Sequence, residues 1–211
     1  MSRLRYNRRQ AVEHLQNRCG PLGRFIDGCG PLKLKTARGT DLFDALSSAI
    51  VYQQLSGKAA ATIHGRFSSL FSDNVPNAAE ASRLSMEVLR GAGLSRNKAL
   101  AILDLAEKTL DGTVKPPGRM ARLSDGEIIE NLCCVRGIGP WTAQMFLIFN
   151  LGRPDVMPAT DLGVQKGVQV VYGIAALPGP EEVLERTRHL APFRSAASWY
   201  FWRAADTVLI T

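Results

Sequence analysis

The 211-residue chain reads as an all-α protein. Three observations predict it. Apolar residues recur at helical spacing along almost the whole length, alternating strand-like runs bounded by turns are scarce, and candidate helices repeatedly open on Ser, Thr, Asp or Pro and close on Gly. The first clear helix opens on Thr40 or Asp41 as cap and carries Leu42, Leu46, Ala49, Ile50 and Gln53 on one face. Pro76 to Arg90 reads as one helix closed by Gly91 and Gly93, and Ser95 to Leu110 as another closed by Asp111-Gly112. Ser124-Asp125-Gly126-Glu127 fits a capping box, so a helix runs from there to about Cys134. Pro140 opens the next helix, which ends near Asn150-Leu151-Gly152. Arg153-Pro154 and Met157-Pro158 then make an extended link into a helix that begins at Thr160 or Asp161 and runs to Tyr172. Pro180-Glu181-Glu182 opens one more, and a last helix spans about Pro192 to Ala205. The strand-like material is Pro31 to Lys35, too little for a sheet.

This pattern divides the chain into residues 1–38, an N-terminal segment packing on the C-terminal lobe, a central helical lobe over 39–150, and C-terminal helices over 151–211 that complete the second lobe. Pro116-Pro117-Gly118 is read either as a hinge between the lobes or as a surface loop.

A formal net charge of +7 suits a polyanionic partner, as support and not as proof. The N-terminus lacks the apolar core of a secretory signal and no apolar run is long enough to span a bilayer, so an intracellular, non-membrane protein is expected. Cys19, Cys29, Cys133 and Cys134 show no zinc-ligand spacing and are expected to be buried, reduced thiols.

The chemistry concentrates in Val135-Arg136-Gly137-Ile138-Gly139-Pro140-Trp141-Thr142-Ala143 and, just downstream, Pro158-Ala159-Thr160-Asp161-Leu162-Gly163. Gly137-Ile138-Gly139 is a short turn between two helices. Its glycines let the backbone approach a ligand, and amides at a new helix start carry partial positive charge for a DNA phosphate oxygen, so Gly137, Gly139, Trp141 and Thr142 are the expected phosphate-binding residues. A helix–helix turn alone would also explain two glycines. Asp161 is either a plain helix N-cap or a carboxylate aimed at whatever the hairpin holds. Trp141, Trp199, Tyr200 and Trp202 are core aromatics by ordinary expectation; if Trp141 and Trp202 flank Asp161, they make an electron-rich cleft for a flat cationic base. Gln53-Gln54-Leu55-Ser56-Gly57 puts two amides where its helix ends or bends, as a solvated turn or as a loop that pushes a side chain into the base stack.

Together these motifs resemble the helix-hairpin-helix superfamily of DNA glycosylases, and within it the 3-methyladenine DNA glycosylases. The resemblance runs from Leu42 to Trp202 and includes Gly93-Leu94-Ser95-Arg96-Asn97-Lys98-Ala99 and Pro192-Phe193-Arg194-Ser195 through Trp199-Tyr200-Phe201-Trp202. It implies two helical lobes with the active site in the cleft between them, and a hairpin motif over about 127–150. It also implies a catalytic Asp161, a base pocket with Trp141, Met145 and Trp202, and Gln54, or alternatively Leu55, filling the gap left by the flipped base. Met145 departs from members that have tyrosine there. Bifunctional relatives carry a nucleophilic lysine where this chain has Trp141, so strand cleavage through a Schiff base is not expected. The resemblance further implies a Na+ or K+ at the hairpin, held by the carbonyls of Cys133, Val135 and Ile138. Relatives with an iron–sulfur cluster hold it by cysteines near the C-terminus, and no cysteine follows Cys134.

The expected activity is therefore hydrolysis of the N-glycosidic bond of alkylated purines in double-stranded DNA, by a monomer with no cofactor for the chemistry. Two rivals stand beside it: a glycosylase of the same fold for deaminated or oxidised bases, and a non-catalytic helix-hairpin-helix DNA-binding protein.

Overall fold

The computed structural model describes residues 4–37 and 41–208. Among them the chain forms thirteen α-helices and no strand. In order they are α1 (Arg8–Arg18), α2 (Gly20–Cys29), α3 (Leu42–Tyr52), α4 (Gly57–Ser68), α5 (Ala78–Ala81), α6 (Met86–Gly91), α7 (Arg96–Leu110), α8 (Pro117–Met120), α9 (Asp125–Cys133), α10 (Pro140–Phe149), α11 (Leu162–Tyr172), α12 (Pro180–Thr187) and α13 (Arg194–Val208). They fall into two compact units, Met1–Arg38 with Leu147–Thr211, and Gly39–Phe146. No helix among the described residues is long and apolar enough to cross a membrane.

The first unit is built on the pair α11 and α13, with α2 against both and α1 against α2 and α13. Leu15, Leu22, Ile26, Val164, Val168, Ala197, Tyr200 and Phe201 form its core. The two central helices approach so closely that a Cβ at Gly167 would overlap the backbone of Phe201, so the seam admits only hydrogen there. In Pro31 to Lys35, Leu32 and Leu34 are buried while Lys33 and Lys35 are exposed. This period of two is that of a strand, but the segment is extended and pairs with no sheet: the alternation reports a half-buried chain, not a ladder. Arg8 Nη2 satisfies the Leu34 carbonyl at 2.7 Å.

In the second unit α3 and α4 pack together, α7 lies against α3, and α5 and α6 pack on α7. The buried face of α3 is Leu42, Phe43, Leu46, Ser47, Ile50 and Val51. Ala49 is only half-buried and Gln53 lies beyond the helix end, so the face is rotated from the one the sequence suggested. Asp41 is the cap, accepting from the Phe43 amide at 2.8 Å; Thr40 lies outside the described residues.

Two expectations are corrected. Pro76 to Arg90 is not one helix: α5 ends at Ala81, and Ser85 opens α6 by accepting from the Val88 amide, so a second capping residue inside the apolar pattern restarts the helix. Pro116-Pro117-Gly118 is not a hinge between units. Pro117 opens α8, whose Met120 is buried inside the second unit, and the chain leaves that unit within α10, after Phe146.

Candidate active site

The hairpin of the second unit spans Cys134 to Gly139, between α9 and α10. Ser124 and Glu127 form the expected capping box at the far end of α9. The turn folds around Ile138, which is buried, and through Gly137 at φ 76°, a left-handed backbone that favours glycine. A Cβ at Gly139 would meet nothing within 4 Å, so the protein itself leaves that spot open. Asp104 on α7 accepts from the Arg136 amide at 2.7 Å and pairs with Lys108 at 2.8 Å, and Lys108 donates to the Cys134 carbonyl at 2.6 Å. Partial burial pushes the Asp104 carboxyl up, but the hydrogen bonds from Lys108 and the Arg136 amide and the charges of Lys108 and Arg136 outweigh it and hold the group below its ordinary range. The backbone of the turn is thus steadied from behind by an ion pair.

Beside it is a cavity of about 630 Å³ lined by Ala49, Tyr52, Gln53, Gln54, Gly137, Trp141, Thr142 and Met145. It brings together Trp141 and Met145, both expected in a base pocket, with Gln54 from the α3–α4 turn. Trp141 is 42% exposed, an unusual state for an indole in a core. Thr142 is buried, and its hydroxyl receives Gln53 Nε2 at 3.4 Å. Gln54 and Leu55 are exposed at the tip of the turn, with Gln54 at φ 54°. Tyr52 and Gln53 were missed as site residues. Gln53 Nε2 donates to the Gly137 carbonyl at 2.9 Å, and the only trace of this in the sequence is a paired amide at a helix end.

Asp161 belongs to the first unit. Its Oδ1 accepts from the Val164 amide at 2.9 Å, making it the N-cap of α11, and from Trp202 Nε1 at 2.8 Å. The cap reading of Asp161 holds, and the capping oxygen is also the one that the indole clasps. The contact depends on Gly163, where a Cβ would lie 2.9 Å from Trp202 Cδ1 and 3.0 Å from Asp161 Oδ1. Phe149 stacks on Trp202, the ring centroids 5.7 Å apart at an interplanar angle of 25°. Trp199 is half-buried and Tyr200 is core.

The link before Asp161 is anchored by the start of α13. Arg194 grips Asp155 with two bonds of 2.7 and 2.8 Å, Ser195 Oγ accepts from the Val156 amide at 3.0 Å, and Ser198 Oγ donates to the Val156 carbonyl at 3.2 Å. Arg194-Ser195 stood out in the sequence without a role; holding the segment that presents Asp161 is that role.

Only Cys19 of the four cysteines is buried, contrary to expectation; Cys134 is exposed because α9 ends before it. Among the described residues no three His, Cys, Asp or Glu side chains gather in a way that could hold a metal ion.

The profile of the HhH-GPD superfamily of base excision DNA repair proteins matches residues 47–193. The chain belongs to this superfamily. The HhH-GPD match takes in the Gln53–Leu55 turn, the hairpin and Asp161, and stops short of Trp202. DNA-3-methyladenine glycosylase 1 of Schizosaccharomyces pombe is 37% identical over 164 residues, 77% of this chain and 72% of that protein. The structure of the S. pombe 3-methyladenine DNA glycosylase in complex with abasic DNA superposes with a TM-score of 0.83 at 33% identity, covering 93% of this chain and 97% of that one. A DNA-3-methyladenine glycosidase from Bacillus halodurans gives a TM-score of 0.87 at 34% identity, over 95% of this chain and 91% of that one.

Proposed function

We propose that this chain is a monofunctional DNA glycosylase that hydrolyses the N-glycosidic bond of alkylated purines such as 3-methyladenine, acting on double-stranded DNA as a monomer in base excision repair. The observation that carries the reading is the clasp on Asp161, a carboxylate fixed by a helix cap and an indole N–H inside a superfamily of base excision proteins. A carboxylate that served only to end a helix would not need an aromatic residue 41 positions away to hold it.

Alkylation at a purine ring nitrogen makes the base cationic and a good leaving group. The enzyme's work is then to expose the base and to stabilise the sugar cation left behind. Amides at Gly139, Trp141 and Thr142 grip the phosphate; for Thr142 only the backbone serves, since its side chain is buried. Gln54 or Leu55 fills the vacated stack, and the base lies against Trp141 and Met145. Asp161 supplies the negative charge that the oxocarbenium-like centre needs and orients the attacking water. Its Oδ1 is oriented by two donors, so little reorganisation is left for the moment of reaction. With Trp141 at the position where bifunctional members carry lysine, no strand cleavage accompanies release.

The chemistry needs no cofactor. A Na+ or K+ at the hairpin fits the donors there: the carbonyl oxygens of Cys133, Val135 and Ile138 are neutral ligands, and the Val135 oxygen, which accepts the Ile138 amide at 3.1 Å, has a second lone pair. A bound ion would add positive charge behind the phosphate.

The test is base release from randomly methylated duplex DNA, beside duplexes carrying a deaminated or an oxidised base. Release of cationic alkylpurines ahead of neutral bases supports the reading. Preferred release of hypoxanthine or an oxidised purine would reassign the lesion class, and tight binding with no release of any base would make the chain a binding module.

A further inference from the structure

α3 ends at Tyr52, and the carbonyls of a helix's last turn have no partner within the helix. Two carbonyls at this end, those of Val51 and Gln53, both accept from Lys98 Nζ of α7 at 2.7 Å. With an ammonium bridging them the chain can leave the helix at Gln53, with φ −54° and ψ 133°, and turn through Gln54 at φ 54°. A glutamine adopts that left-handed backbone only where its surroundings impose it. From the same residue the Gln53 side chain reaches the Gly137 carbonyl at 2.9 Å. One lysine thus stands behind both the exposed Gln54–Leu55 tip and the amide that holds the hairpin.

We propose that Lys98 is a positioning residue that holds the Gln54–Leu55 turn in its stack-entering conformation and, through Gln53, couples that turn to the phosphate-binding hairpin. Gripping the backbone and plugging the duplex then occur as one event. This rests on the glycosylase reading, and it assigns Lys98 no contact with DNA. Arginine also reaches two carbonyls at once, whereas methionine keeps the apolar stem and removes every donor. A lysine that merely caps a helix predicts a loss of stability shared by all substrates. A positioning lysine predicts a loss confined to DNA that must be opened, because a base in a single strand leaves no hole to fill.

The experiment compares wild type, Lys98→Met, Lys98→Gln and Lys98→Arg in the full chain. The probes are a duplex and a single strand with the same alkylated purine, and 2-aminopurine beside it to report unstacking. Single-turnover release from the duplex is expected to fall roughly tenfold in Lys98→Met, the rate equivalent of one charge-assisted hydrogen bond. Release from the single strand should change by under about twofold. The 2-aminopurine signal on duplex binding should shrink in parallel, and Lys98→Arg should recover most of both. Coupling is read by combining Lys98→Met with Gly139→Leu, whose effects on duplex affinity should be less than additive. Equal losses on the two substrates, or an undiminished duplex rate, would overturn the proposal. If Lys98→Met does not fold, Lys98→Gln decides on the same criteria. A wild type that releases no base would sink the glycosylase reading, and the 2-aminopurine signal, which needs no bond cleavage, would still test Lys98.

Discussion

The two units solve opposite problems. In the second, the proposed function falls to peptide groups: a turn whose glycine at 139 faces open space, steadied from behind by the Asp104–Lys108 pair. In the first, the proposed role falls to one charge, held by a residue far away in the chain: Trp202 Nε1 donates to Asp161 Oδ1 at 2.8 Å, in a space that a Cβ at Gly163 would obstruct. A grip that must accept any sequence is best made of peptide groups, which carry no sequence information. A charge that must meet a transition state has to be fixed in direction, and that takes tertiary packing.

The sharpest break between them is Asp161→Asn. The amide oxygen can still cap α11 and accept from Trp202, so the body survives while the charge is lost. Single-turnover excision should fall by roughly 10²- to 10³-fold, with duplex affinity nearly unchanged. Wild-type-like turnover would remove Asp161 from the chemistry and with it the division drawn above.

Gly163→Ala keeps the charge and disturbs its holder, since the new methyl meets the indole at 2.9 Å. Displacement of the pair should lower excision by about tenfold or more and leave duplex binding intact. A variant with full activity would mean that the clasp tolerates movement. Gly139→Leu addresses the other unit. Apart from its own chain neighbours, nothing lies within 4 Å of a Cβ there, so the melting temperature should hold while affinity for damaged and undamaged duplex falls alike, by roughly tenfold. Loss on lesion DNA alone would take the hairpin out of backbone binding.

The smallest effect concerns pH. Burial pushes the Asp155 carboxyl up, but the hydrogen bonds and charge of Arg194 outweigh it and hold the group below its ordinary range. A depressed folded value contributes stability above the unfolded value of about 4 and loses it as pH falls through the folded one. The stability gap between wild type and Asp155→Asn should therefore be about 1 kcal/mol near neutrality and close below pH ~4. A gap that does not change with pH would show that the pair contributes by shape and not by charge.

How far the sequence carried depended on separation along the chain. Caps at Ser95, Ser124 and Asp161 and the proline at 140 are local signals, and the helices they open lie where those residues put them. Pro76 to Arg90 misled because its apolar spacing runs through a break that only Ser85 announces. The α1–α2 pair and α4 passed without individual notice, α1 having little one-sidedness and its cap being a plain Asn7. In the candidate site, the glycine turn before Pro140 and the capping Asp161 could be read from contiguous motifs. The Gln53 bridge, the Lys98 support and the Arg194–Asp155 anchor could not, since each joins residues 39 or more apart and depends on directions that only packing sets.

Asp161 has a consequence for descent as well as for turnover. The same oxygen ends a helix and holds an indole, so under the proposed role of Asp161 one isosteric change to asparagine would silence the reaction and keep the architecture. Exchange for glutamate, one methylene longer, must rebuild the first turn of α11 and the seat of Trp202 together. The proposed acid is thus easier to lose than to exchange: asparagine keeps both contacts of Asp161, and glutamate keeps neither in place.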